Sequence, residues 1–214
     1  LDKAATNTPY LHEDIIAAFV VSDDSRDYLR YVFPQLRIFR LHNGIDAGLF
    51  SYTPNKKQQI AFMPRKNIED IRQVVNILKF RNIIGEYDLV PIEDKKPKEV
   101  AGILKESLIF LSFGYPEGFS LPPAEAMSCG CILIGYHGMG GKEYFNNEYC
   151  YPVNQGDIIQ FAQTIETVIG IHKGNPRALE EKGRQAAIFI KNNYSLAREE
   201  DDILRAWRAI IHHD

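Results

Sequence analysis

From Gln59 onward, short runs of β-branched and aromatic residues alternate with segments whose apolar positions recur at helical spacing. That alternation predicts a parallel sheet covered by helices. The strand candidates are residues 60–63, 89–93, 108–113, 131–136 and 149–153. Between them, Ile68, Ile71, Val74, Val75 and Leu78 form one apolar helix face, and Val100, Ile103 and Leu104 form another. Residues 158–171, 176–193 and 196–212 read as three successive helices with no strand among them, so the sheet is complete before they begin. Connections are short, as in doubly wound α/β folds.

The first fifty residues stand apart from this repeat. Residues 17–22 read as a strand, 25–33 as a helix with Asp24 or Ser25 near its cap, and 38–41 as a second strand before the turn signal Asn43-Gly44. The polar, proline-containing stretch 51–59 has the character of an inter-domain connector. A single βαβ-like fragment without its own sheet suggests the edge of a larger domain. The expected division is therefore 1–50 as a remnant of an N-terminal domain, 51–194 as a Rossmann-like domain, and 195–214 as a helix packing back across it.

The most informative stretch is the strand-to-helix corner Glu117-Gly118-Phe119-Ser120-Leu121-Pro122-Pro123-Ala124-Glu125. Ser120 occupies an N-cap position, and the two prolines fall in the first helical turn, where a missing N–H costs little. The donors left over are the amides of Gly118, Phe119, Ser120 and Leu121, which suit a phosphate at the carboxyl end of a strand. Glu117 and Glu125 would repel that phosphate. Their chemistry fits other parts of the same ligand, because a carboxylate accepts two hydrogen bonds from neighbouring hydroxyls of a ribose or hexose.

Composition narrows the function class. A chain of 214 residues can bury about 70% of its extended surface without disulfides or metals. Its formal net charge of -3 and pI near 6.1 argue against a broad nucleic-acid footprint. Cys129, Cys131 and Cys150 lack zinc-ligand spacing and read as buried thiols of a reducing compartment. The apolar run 15–21 is too short to span a bilayer and follows no basic segment, so a cytoplasmic protein is expected.

Together these motifs resemble the C-terminal donor-binding half of a retaining glycosyltransferase of GT-B fold, closest to glycosyltransferase family 4 (group 1). The resemblance covers nearly everything after Leu41. Its most specific element is the pair Glu117 and Glu125 with Gly-Phe-Ser-Leu-Pro between them and Glu-Ala-Met-Ser-Cys-Gly after them. His42-Asn43-Gly44-Ile45-Asp46, Phe62-Met63-Pro64-Arg65-Lys66, and Gly138-Met139-Gly140-Gly141 with Glu143 support it.

The resemblance implies that Glu117 contacts hydroxyls of the transferred sugar, that Glu125 holds the ribose, and that the amides of Phe119, Ser120 and Leu121 touch the sugar or distal phosphate. Arg65 and Lys66 would stabilise the leaving diphosphate, each charge-assisted bond contributing about 1.5–3 kcal/mol. The family commonly separates its arginine and lysine by several residues, whereas here they are adjacent; a straight chain would point only one of them at the ligand. The chain has no Asp-x-Asp pair, so no metal site is expected, and the nucleoside diphosphate-sugar is a donor substrate rather than a cofactor. The remaining expected partners are a hydroxyl acceptor (glycan, lipid or small molecule) and the missing N-terminal domain, with no nucleic acid and no transmembrane segment. Peripheral membrane attachment through that domain stays open. The isolated chain should bind donor weakly and catalyse poorly. A non-catalytic sugar-nucleotide binding module and a GT-B epimerase are the alternatives. A dinucleotide oxidoreductase is disfavoured, since no Gly-x-Gly-x-x-Gly follows a first strand.

Overall fold

The computed structural model describes residues 8–212; His213 and Asp214, and the first seven residues of the expected N-terminal remnant, lie outside the described residues. The chain runs β1 (Ala18–Val20), α1 (Asp23–Val32), β2 (Ile38–Arg40), β3 (Lys57–Phe62), α2 (Ile68–Phe80), β4 (Asp88–Pro91), α3 (Pro97–Glu106), β5 (Ser107–Phe113), α4 (Leu121–Ser128), β6 (Ile132–Tyr136), β7 (Tyr151–Pro152), α5 (Ile158–Gly174), α6 (Pro176–Asn193) and α7 (Leu196–Ile211).

Strands β3 to β7 form one parallel five-stranded sheet in the order β4-β3-β5-β6-β7. The order reverses between β3 and β5: the chain leaves β3 for β4 on one side, then returns to β5 on the other. Such a switch point opens a crevice beyond the carboxyl ends of the two strands. Side chains of β5 and β6 alternate between two cores. Phe110 and Leu133 enter the layer with Leu104, Met127 and Ile190, under α3, α4 and α6. Ile109, Leu111, Ile132 and Ile134 enter the layer with Val74, Leu78, Phe161 and Ile165, under α2 and α5. Helices therefore cover both faces, and β5 and β6 are buried along their whole length.

Element edges depart from the periodicity where polar residues do structural work. Strand β3 begins at Lys57, three residues earlier than its apolar core, because Lys57 and Gln59 occupy the ladder beside β5 and β4. Helix α1 is capped by Ser22, whose Oγ accepts from Ser25 N at 3.1 Å, so Asp24 and Ser25 lie inside the helix. The stretch 51–56 packs rather than dangles. The Lys56 ammonium donates to the carbonyls of Leu104, Lys105 and Cys129 at 3.2, 2.9 and 2.7 Å, closing the ends of α3 and α4, and burial lowers its pKa.

The N-terminal fragment forms its own two-stranded parallel sheet, β1 with β2. Helix α7 lies against it: Phe19 meets Trp207 edge-on at 5.7 Å, and His42 Nδ1 sits 2.6 Å from Asp202 Oδ2. A second junction runs through Glu143. Its carboxylate takes hydrogen bonds from Asp23 N (2.9 Å), Arg40 Nη2 (2.6 Å) and Tyr194 Oη (2.8 Å), joining α1, β2 and the end of α6.

Candidate functional site

A cavity of about 350 Å³ opens at the switch point, lined among others by Met63, Arg65, Lys66, Phe113, Gly114, Glu117, Phe119, Ser120, Leu121 and Glu125. It lies between the turn that follows β3 and the loop that follows β5, with the start of α4 as its floor. Glu117 and Glu125 share this cavity, and so do both cations.

The corner itself is anchored from below. Phe119 is buried, with ring centroids 5.4 Å from both Tyr144 and Tyr194, and the Tyr144 hydroxyl donates to the Ser120 carbonyl at 2.5 Å. From the side, Glu117 N donates to Gly138 O (3.0 Å) and Gly140 N to Glu117 O (3.1 Å). Gly140 is obligatory there, because a Cβ on it would come within 2.1 Å of the Gly118 carbonyl oxygen. The glycine-rich loop is thus a backbone splint for Glu117.

Ser120 stands at the N-cap of α4, but its side chain does not cap the helix. Its Oγ donates instead to Glu117 Oε1 at 2.9 Å. An N-cap would accept from the second or third helical residue, and here those are Pro122 and Pro123, which have no N–H; the amides of Gly118, Phe119, Ser120 and Leu121 donate to no acceptor among the described residues. Free amides and the positive end of a helix dipole favour an anion.

The carboxylates differ in setting. Glu117 is held by Ser120 and by Lys66, whose Nζ lies 2.5 Å from Oε2. Glu125, on the first turns of α4, has no hydrogen-bond or ionic partner among the described residues, and burial pushes its pKa up to about 7. Arg65 is exposed and equally unpartnered among the described residues. The three cysteines are free and buried, and burial raises Cys129 and Cys150 to about 12 and Cys131 to about 11, so they are inert thiols. Among the described residues no cluster of His, Cys, Asp or Glu is placed to hold a metal, and no helix is long and apolar enough to cross a membrane.

Residues 90–186 match the family described as Glycosyl transferases group 1. It is 26% identical over 178 residues to an alpha-1,6-glucosyltransferase of Actinobacillus pleuropneumoniae serotype 7 (strain AP76), covering 76% of this chain and 51% of that protein. The fold matches sucrose-phosphate synthase from Thermosynechococcus elongatus with a TM-score of 0.73 at 16% identity, over 94% of this chain and 60% of that one. It also matches a TarM variant of S. aureus, solved with Fondaparinux, alpha-GlcNAc-glycerol and UDP, with a TM-score of 0.70 at 15% identity, over 88% of this chain and 43% of that one. The α/β architecture is thus that of a GT-B C-terminal domain, and the chain spans about half the length of the curated relative.

The matched stretch contains the corner, both glutamates and the glycine-rich loop, whereas Arg65 and Lys66 precede it. The chain turns at 64–65, and both adjacent cations line one cavity. Gly118 is the exception among the corner residues: it is off the cavity wall, its Cα facing Val21 and Ser25 of the N-terminal fragment. Tyr144 and Tyr194 carry the corner without a signal in the sequence, since their role depends on contacts between distant segments. Asn67, which joins the two cavity loops, was equally invisible.

Proposed function

We propose that the cavity takes a nucleoside diphosphate-sugar and that the protein transfers the sugar to a hydroxyl acceptor with retention of configuration, as a family 4 enzyme, with this chain as its donor-binding half. The observation that carries the reading is the convergence of two carboxylates, two cations and the uncapped start of α4 on one cavity at the switch point. The diphosphate lies over the amides of Phe119, Ser120 and Leu121, with Arg65 and Lys66 alongside. As the glycosidic bond breaks, charge grows on the diphosphate, and interactions that strengthen with that charge lower the barrier. These groups do the work that a divalent cation would otherwise do.

Lys66 reaches the phosphate by leaving Glu117, and the same exchange frees Glu117 Oε2 for hydroxyls of the transferred sugar. Glu125 accepts both ribose hydroxyls, which supply the partners its carboxylate lacks. The hexose class of the donor is supported by the name of the Actinobacillus relative, a glucosyltransferase, and the nucleoside diphosphate by the UDP in the TarM structure. The acceptor and the rest of the catalytic apparatus belong to an N-terminal domain, through which the protein sits in the cytoplasm or on a membrane surface. Calorimetry with UDP and GDP tests the site: Arg65→Ala and Glu125→Ala each weaken binding. Unchanged affinity in both variants would remove the assignment.

A further inference from the structure

Asn67 separates the cation-bearing turn from α2, in the left-handed region at φ 50 and ψ 45. It stands at the N-cap, where an asparagine side chain ordinarily bonds the helix and contributes about 1 kcal/mol. Its side chain does not cap α2. Instead Nδ2 donates to Phe113 O at 2.9 Å and Gly114 O at 2.8 Å, the end of β5 and the first residue of the loop leading to Glu117. One amide group thus spends both protons on consecutive carbonyls of the neighbouring strand. Few residues permit this: glycine enters the left-handed region but has no donors, aspartate enters it but presents only acceptors, and most others resist it.

A further bond fixes the same helix turn, from Tyr136 Oη at the end of β6 to Asp70 Oδ2 at 3.0 Å. The start of α2 is therefore pinned to β5 and β6, the two strands whose carboxyl ends flank the corner. Arg65 and Lys66 immediately precede Asn67 and line the cavity, while Asn67 does not line it. We infer that Asn67 is a positioning residue: by clamping the turn after β3 to the end of β5, it sets the reach of Arg65 and Lys66 toward a phosphate held at the α4 corner. This rests on the reading of the cavity as a nucleoside diphosphate site. The clamp also explains how two adjacent cations serve one cavity, since the left-handed residue right after them turns the chain back before it can diverge.

The test uses the full-length protein, calorimetry with UDP and GDP, and the corresponding nucleosides as controls. Asn67→Gly keeps the left-handed backbone and removes both donors. Asn67→Asp keeps the shape and sets a carboxylate against two carbonyls. Each is expected to weaken the diphosphate about fivefold or more while leaving the nucleoside unchanged, and Lys66→Ala is expected to cost less in the Asn67→Gly background than in wild type. A purely structural role would instead weaken nucleoside and diphosphate together, with additive effects, and would overturn the inference. So would unchanged diphosphate affinity, or the failure of both variants to melt cooperatively. A wild-type protein that binds neither diphosphate is a separate outcome: it removes the site reading itself, and the inference with it.

Discussion

Lys66 Nζ lies 2.5 Å from Glu117 Oε2, so the turn after β3 and the loop after β5 are joined by an ion pair across the cavity they form. Both side chains are partly exposed, at 36% and 27%. A pair in that setting contributes at most about 1 kcal/mol to stability. Its consequence lies in binding. Glu117→Gln releases Lys66 without emptying the site, so UDP or GDP is expected to bind as well as or better than in wild type, while sugar transfer by the full-length protein falls at least about tenfold through the lost hydroxyl contact. Calorimetry and turnover on the same preparation check the two halves.

Glu125 carries a pH signature. Burial pushes its pKa up to about 7 in the fold, from an ordinary value of 4.5. A raised folded pKa means that the native state holds its proton between those two values while the unfolded chain has lost it, so stability falls as pH rises through that window. Glu125→Gln removes this loss. Thermal melts are expected to show the variant stabilised relative to wild type at pH 8, with the difference vanishing near pH 4.5; a constant offset at both pH values would contradict the assignment.

Gly140 tests the splint. Gly140→Ala drives a Cβ to 2.1 Å from Gly118 O and 2.6 Å from Glu117 O, both backbone atoms that cannot rotate aside. The expected cost is about 1–3 kcal/mol, typical of overpacking, read from urea denaturation. Because the displaced peptide carries the corner, diphosphate affinity should fall in the same variant.

Glu143 is one of the contacts that tie the N-terminal fragment to the rest. Its side chain is 14% exposed and that of its partner Arg40 10%. Glu143→Ala leaves the nearly buried Arg40 guanidinium with Asp23 alone, 3.6 Å from its Nε, and frees the Tyr194 hydroxyl, with an expected loss of about 1–3 kcal/mol by denaturant titration. Glu143→Gln, whose single amide oxygen can still accept from Arg40 and Tyr194 while the bond from Asp23 N is lost, is expected to lose less.

Much of this arrangement could be read along the chain. The sheet and the helices of both layers follow from short apolar runs alternating with helical-period segments, and the corner from prolines placed where no donor is needed. What escaped has a common physical cause: side chains that ignore their local option for a distant one. Asn67 sits at an N-cap, yet its side chain turns to β5. Lys56 looks like a connector residue, yet it closes two helix ends from inside. Local pattern encodes the position of such residues, but their bonding is decided by segments tens of residues away.

The most direct test of the site is backbone amide chemical-shift mapping of the full-length protein during titration with UDP and GDP. The amides of Phe119, Ser120 and Leu121 are expected to move most for one of the two diphosphates, with smaller shifts at Arg65 and Lys66. Saturating diphosphate that leaves those three amides in place, with shifts clustered elsewhere on the molecule, would contradict the proposal that the α4 corner holds the donor.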